Sequence, residues 1–117
     1  MPKILVVEDE IEQLAIRRQL LEHAGYEVIT AQNATDALRQ LVGCQALVMD
    51  LRIPNLEDGL QLMLAAAAAS VRTIVLSGAA SDVALPVDEF LMKPCSSKKL
   101  LETIAQLCAG VQGSGPG

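Results

Sequence analysis

Apolar residues recur along the chain in two alternating ways. Residues 4–7, Ile-Leu-Val-Val, form a continuous aliphatic run of the kind a strand carries when both its faces are covered. Residues 10–24 follow at helical spacing, with Ile11, Leu14, Ala15, Leu21 and Ala24 on one stripe and Gly25 as a C-terminal stop. Residues 27–31 read as a second short strand. Asn33 or Thr35 caps a helix over 34–42, bearing Ala34, Leu38, Leu41 and Val42 and ending at Gly43. Residues 46–49 predict a third strand that runs into Asp50. A loop over 52–58 contains Pro54 and ends at Gly59; a helix then carries Leu60, Met63, Leu64 and Ala67 at i, i+3, i+4 and i+7. Residues 73–76 and 89–92 predict a fourth and a fifth strand, ending at Ser77-Gly78 and Lys93-Pro94. A last helix covers about 97–109. The Gly-, Ser- and Pro-rich end over 110–117 reads as a flexible tail or the start of a linker, leaving one domain over 1–109.

Strands alternating with helices imply parallel pairing, because each crossover returns the chain to the same edge. Right-handed crossovers then put helices on both faces of an open sheet. The expected class is α/β with a five-stranded parallel sheet. In such sheets a site forms at the carboxyl ends of the strands, where strand order reverses. Those ends are Glu8-Asp9-Glu10, Asp50, Ser77-Gly78 and Lys93-Pro94.

Composition narrows the function classes. The 117 residues suit a single domain, and 51% apolar with 20% charged residues is globular rather than disordered. No apolar run approaches the ~18–20 residues of a membrane span, and the first residues lack a secretory signal, so a cytoplasmic protein without membrane contact is expected. The net charge is −5 and the pI about 4.7. The close basic pairs, Arg17-Arg18 and Lys98-Lys99, read as solvated helix faces, so direct nucleic-acid binding is not expected. Cys44, Cys95 and Cys108 are odd in number and far apart, which fits reduced structural thiols rather than disulfides or a metal site. His23, the single histidine, reads as a solvated helix position, and Met49, Met63 and Met92 as core packing.

Each strand end alone has an ordinary explanation: a helix cap, a turn, or acidic residues favouring a helix N-terminus. Together they bring carboxylates, one hydroxyl and one ammonium to one crevice. Clustered carboxylates repel unless something positive lies among them. Lys93 supplies one charge, and Mg²⁺ would supply more while leaving coordination positions for phosphate oxygens. Asp50 is then a carboxylate able to attack phosphorus and form an acyl phosphate. The Ser77 hydroxyl, the Gly78 amide and the Lys93 ammonium are the donors wanted around the phosphoryl oxygens.

The blocks Ile4-Leu-Val-Val-Glu-Asp-Glu10, Val48-Met-Asp-Leu-Arg-Ile-Pro54, Val75-Leu-Ser-Gly78 and Phe90-Leu-Met-Lys-Pro94 resemble the receiver (REC) domain of two-component response regulators, over about residues 2–109. That resemblance implies a flavodoxin-like sheet of order 2-1-3-4-5. It implies Asp50 as phosphoacceptor and as a Mg²⁺ ligand, with Asp9 a direct ligand, Glu8 acting on the ion through water, and the Arg52 carbonyl a further ligand. It also implies Ser77 as switch hydroxyl, Phe90 as switch aromatic, Lys93 paired with a phosphoryl oxygen, and a cis Lys93-Pro94 bond. The implied function is a phosphorylation-controlled signalling switch charged by a sensor histidine kinase or histidine phosphotransfer protein. It acts on a downstream protein or output domain, with a phosphorylation-linked dimer left open. Such a chain is no enzyme toward external substrates; it assists only its own phosphorylation and dephosphorylation.

Two departures from the family pattern stand out. Gly59 lies five residues after Pro54 rather than four, and only sixteen positions separate Ser77 from Lys93. Residues 79–87 leave room for two turns of helix at most, with Pro86 limiting even that, so the family's fourth helix is expected to be shortened or replaced by a loop. A receiver-like scaffold acting without phosphorylation is the alternative this suggests. An aspartate-nucleophile phosphohydrolase is a weaker one, since Arg52 stands where such enzymes place an acid/base Asp. A flavodoxin-like nucleotide binder is disfavoured because Glu8-Asp9-Glu10 would repel phosphate in the first loop.

Overall fold

Five parallel strands form one sheet in the order β2-β1-β3-β4-β5. They are β1 (Lys3–Val7), β2 (Glu27–Ala31), β3 (Ala46–Asp50), β4 (Arg72–Ser77) and β5 (Glu89–Met92). The computed structural model describes residues 2–51, 53, 55–78 and 84–112, with side chains as far as Ala109. The expectations for Arg52, for Pro54, for residues 79–83 and for the tail over 113–117 therefore lie outside the described residues.

Alternation along the strands sorts the core into two layers. Leu5, Val7, Leu47, Met49 and Val75 face helices α2 (Ala34–Gln40) and α3 (Leu56–Ala68), through Ala37, Leu62, Met63 and Ala66. Ile4, Val6, Val48, Ile74 and Leu76 face α1 (Ile11–His23) and α4 (Ser97–Gln112), through Leu14, Leu21, Leu100 and Ile104. The central strands β1 and β3 are covered on both sides, which is why their sequences are unbroken aliphatic runs.

The helices depart from expectation where caps and contact lines overrule spacing. Asn33 caps α2 by accepting from the Asp36 N–H at 2.8 Å, so Thr35 is not the cap. The buried line on α2 runs Ala34, Ala37 and on to Leu41, leaving Leu38 and Val42 exposed. Asn55 accepts from the Asp58 N–H at 2.9 Å and starts α3 at Leu56, before Gly59 rather than after it. Acidic Glu57 and Asp58 in the first turn suit that start. Ile11 and Ala15 on α1, and Ala24 just after it, are exposed, because the helix meets the sheet along Leu14 and Leu21. Met92, at the end of an edge strand, is exposed, unlike the buried Met49 and Met63. The last helix continues past residue 109 to Gln112.

Between β4 and β5 no helix occurs among the described residues, in keeping with the short interval. Leu85 and Val87 lie half-buried against the layer that holds α2 and α3. Asp88 fastens this stretch: its carboxylate accepts from the Thr73 N–H at 2.7 Å, and its own N–H donates to the Thr73 carbonyl at 3.0 Å.

Candidate functional site

The strand register brings the predicted residues to one end of the sheet. Val7 pairs with Met49, Asp50 with Leu76, and Ser77 with Met92, so Glu8, Asp50, Ser77 and Lys93 follow at adjacent strand ends. The Lys93 N–H donates to the Ser77 carbonyl at 2.7 Å, holding the start of the cis Lys93-Pro94 turn against the end of β4. Oxygens of Glu8, Asp9 and Asp50 all lie within 4.8 Å of one another. Glu8 is buried, Asp50 half-buried and Asp9 exposed. The Lys93 ammonium stands 2.8 Å from Asp50 Oδ1. Ser77 is buried, and Gly78 is exposed at the rim. Phe90 is half-buried on β5 and packs against the layer of α2 and α3.

One residue of this group escaped the sequence reading. Arg17 does not lie on a solvated helix face; its guanidinium donates to Glu8 Oε1 at 2.9 Å and stands 3.8 Å from Asp50 Oδ1. Its side chain is only 11% exposed, whereas Arg18 next to it is more than half exposed and pairs with Glu22 on the surface. The missed signal was spacing: 17 lies three residues after buried Leu14 and four before buried Leu21, on the face turned to the sheet. The other basic pair, Lys98-Lys99, is exposed as expected.

The charges are unequally held. Burial, then the hydrogen bond shared with Asp50, pushes the Glu8 carboxyl up to about 7, outweighing the Glu10 N–H that it accepts. Burial works the same way on Asp50, but hydrogen bonding with Glu8 and Lys93 and the charge of Arg17 win, holding it below the ordinary carboxylate range. Asp50 is thus the ionised member of the pair. Its Oδ1 is buried and faces the Lys93 ammonium at 2.8 Å and the Arg17 guanidinium at 3.8 Å. Hard oxygen donors from three carboxylates fit a hard divalent cation such as Mg²⁺.

A pH dependence follows from Glu8. Its native pKa lies above the ordinary 4.5, so the folded protein holds this proton more tightly than the unfolded chain. The stability it contributes is complete below about 4.5 and is lost as pH rises through about 7. Thermal unfolding of the metal-free protein should therefore weaken between about pH 5 and 8, and Glu8→Gln should flatten that slope. Equal slopes in the two proteins would remove Glu8 as its source.

An open cleft of about 600 Å³ leads to these groups, lined by Glu8, Arg17, Leu76, Lys93, Pro94 and Leu100 among others. The sequence model of the response regulator receiver domain matches residues 4–105. The chain belongs to that family. This receiver domain is 36% identical over 114 residues to the probable transcriptional regulator ycf27 of Cyanophora paradoxa, covering 90% of this chain and 47% of that protein. It is 31% identical to a CpxR homolog of Haemophilus influenzae, covering 89% of this chain and 49% of the relative. The chain thus spans about half the length of the curated relatives it matches. Among solved structures, a CheY-like receiver domain protein from Methanospirillum hungatei superposes with a TM-score of 0.88 at 26% identity, covering 98% of this chain and 99% of that one. Thermotoga maritima TrrA, in complex with Mg²⁺ and BeF, superposes with a TM-score of 0.80 at 26% identity, covering 92% and 99%. Receiver domains are phosphoryl-accepting signalling switches, and the acidic pocket described above is where this one would hold Mg²⁺. No helix among the described residues is long and apolar enough to cross a membrane.

Proposed function

We propose that this receiver domain takes a phosphoryl group on Asp50 from a sensor histidine kinase or a histidine phosphotransfer protein, in the presence of Mg²⁺. The observation that carries the reading is an ionised Asp50 beside an open cleft, with the Lys93 ammonium at 2.8 Å and two further carboxylates around it. An Asp50 oxygen forms the new bond to phosphorus as the donor's phosphorus–nitrogen bond breaks, and the departing imidazole regains its lone pair. Lys93 would hold one phosphoryl oxygen, and Glu8, Asp9 and Asp50, with the Arg52 carbonyl that the family resemblance implies, would hold the cation, which would supply positive charge toward the remaining phosphoryl oxygens.

Output follows from Ser77 turning toward the phosphoryl group and Phe90 moving into the space it leaves. Phe90 has no hydroxyl, so its positions differ by packing alone, against the layer that also holds Leu85 and Val87. The named relatives are transcriptional regulators, which supports a downstream protein or output domain as the recipient rather than nucleic acid bound by this chain. The domain acts chemically on itself only.

Incubation with acetyl phosphate and Mg²⁺ is expected to raise the intact mass by one phosphoryl group, and chelation with EDTA to prevent the gain. No gain with Mg²⁺, or an equal gain in EDTA, would overturn the reading.

A further inference from the structure

Among the described residues Arg17 is a cation sunk between two carboxylates of the pocket, and the phosphoryl chemistry above does not use it. We infer that Arg17 is a tethered counter-ion: it occupies the cation position of the metal-free pocket and opposes binding of the divalent ion. The inference rests on the reading of Glu8, Asp9 and Asp50 as the Mg²⁺ site.

Three observations carry it. The guanidinium contacts the same two carboxylates, Glu8 at 2.9 Å and Asp50 at 3.8 Å, that a bound ion would draw on. Both sides of the Glu8 pair are nearly closed to solvent, 11% and 4% exposed, so the interaction is little screened and its loss would leave a buried carboxyl without its partner. Arg17 also lines the open cleft, together with Gln13 and the exposed carboxylate of Glu10. On this inference the pocket has two arrangements, one closed by Arg17 and one open to the ion. If the closed arrangement holds about nine molecules in ten, apparent Mg²⁺ affinity is about tenfold below that of the open pocket. Even without leaving, a positive charge so close to the ion works against it.

The test is a calorimetric Mg²⁺ titration of the whole chain at about pH 8.5, where a proton competes little with the ion at Glu8. Arg17→Gln is expected to bind Mg²⁺ about tenfold more tightly than wild type, and to unfold at a lower temperature than wild type when no metal is present. Arg18→Gln, which loses only the surface pair with Glu22, should match wild type in both. Equal or weaker Mg²⁺ binding by Arg17→Gln would overturn the inference. Asp9→Asn separates the two claims: if it binds Mg²⁺ like wild type, the site itself is misplaced, whereas loss of binding there with no effect at Arg17 removes only the counter-ion. The wild-type protein gives an independent reading should Arg17→Gln fail to fold. The Arg17 Nη–H resonances should be protected from solvent exchange without metal, because Nη1 is the atom that donates to Glu8, and should lose protection as Mg²⁺ is added. An Nη–H signal unchanged at saturating Mg²⁺ would contradict the inference.

Discussion

Asp50→Asn is expected to take up no phosphoryl group under conditions that label the wild type to completion. The amide that replaces the carboxylate keeps the shape of the side chain but has neither the charge nor the nucleophilic oxygen. Neighbouring groups are poorly suited to take over: Glu8 is buried, its carboxyl is pushed up to about 7 and it is paired with Arg17, and the Lys93 ammonium is paired with Asp50 rather than Asp9. Loss of an attacking group lowers rates by on the order of a thousandfold or more. Labelling should accordingly fall below detection by intact mass. Residual labelling of the variant at a tenth of the wild-type rate would place the acceptor elsewhere.

Gly59→Ala carries the largest expected effect on folding. Alanine normally stabilises a helix relative to glycine, by about 0.5–1 kcal/mol. Here a Cβ would collide with the backbone carbonyl oxygen of Leu51, so the chain leaving β3 or the first turn of α3 must shift to admit it. The sign should therefore reverse, with a net loss of about 2–3 kcal/mol and a fall in Tm of roughly 10 °C. Because Leu51 follows Asp50 directly, the same shift should slow labelling of the acceptor. Gly78→Ala, where a Cβ meets nothing, should leave Tm nearly unchanged. A Gly59→Ala variant as stable as wild type would mean that β3 and α3 can separate at no cost.

The sheet was legible because its signal is redundant. β1, β3 and β4 are short aliphatic runs that lead into polar groups, and strand ends in a parallel sheet must converge, so Glu8, Asp9, Asp50, Ser77 and Lys93 could be grouped before any geometry was known. Helix faces were less legible. Apolar spacing on α1 offered Ile11 and Ala15 as well as Leu14, and only the helix's angle to the sheet decides that the first two face water. Arg17 was hidden for a related reason: beside Arg18, in a run rich in charge, it looks like surface, and its place on the buried stripe matters only because carboxylates wait at its far end. The start of α3 turned on a side-chain cap at Asn55, a local bond that competed with the reading of Gly59 as a loop end. The shortened crossover to β5, by contrast, was plain arithmetic between Ser77 and Lys93.

The central claim is that Asp50 carries the phosphoryl group, and the most direct measurement is to locate it. The whole chain, charged briefly with acetyl phosphate and Mg²⁺, would be reduced with borohydride to trap any acyl phosphate and then mapped by peptide mass spectrometry. The reduced product is expected at Asp50 and at no other carboxylate. Reduction at Glu8 or Asp9, or a phosphoryl group that resists borohydride because it sits on a hydroxyl, would contradict the account.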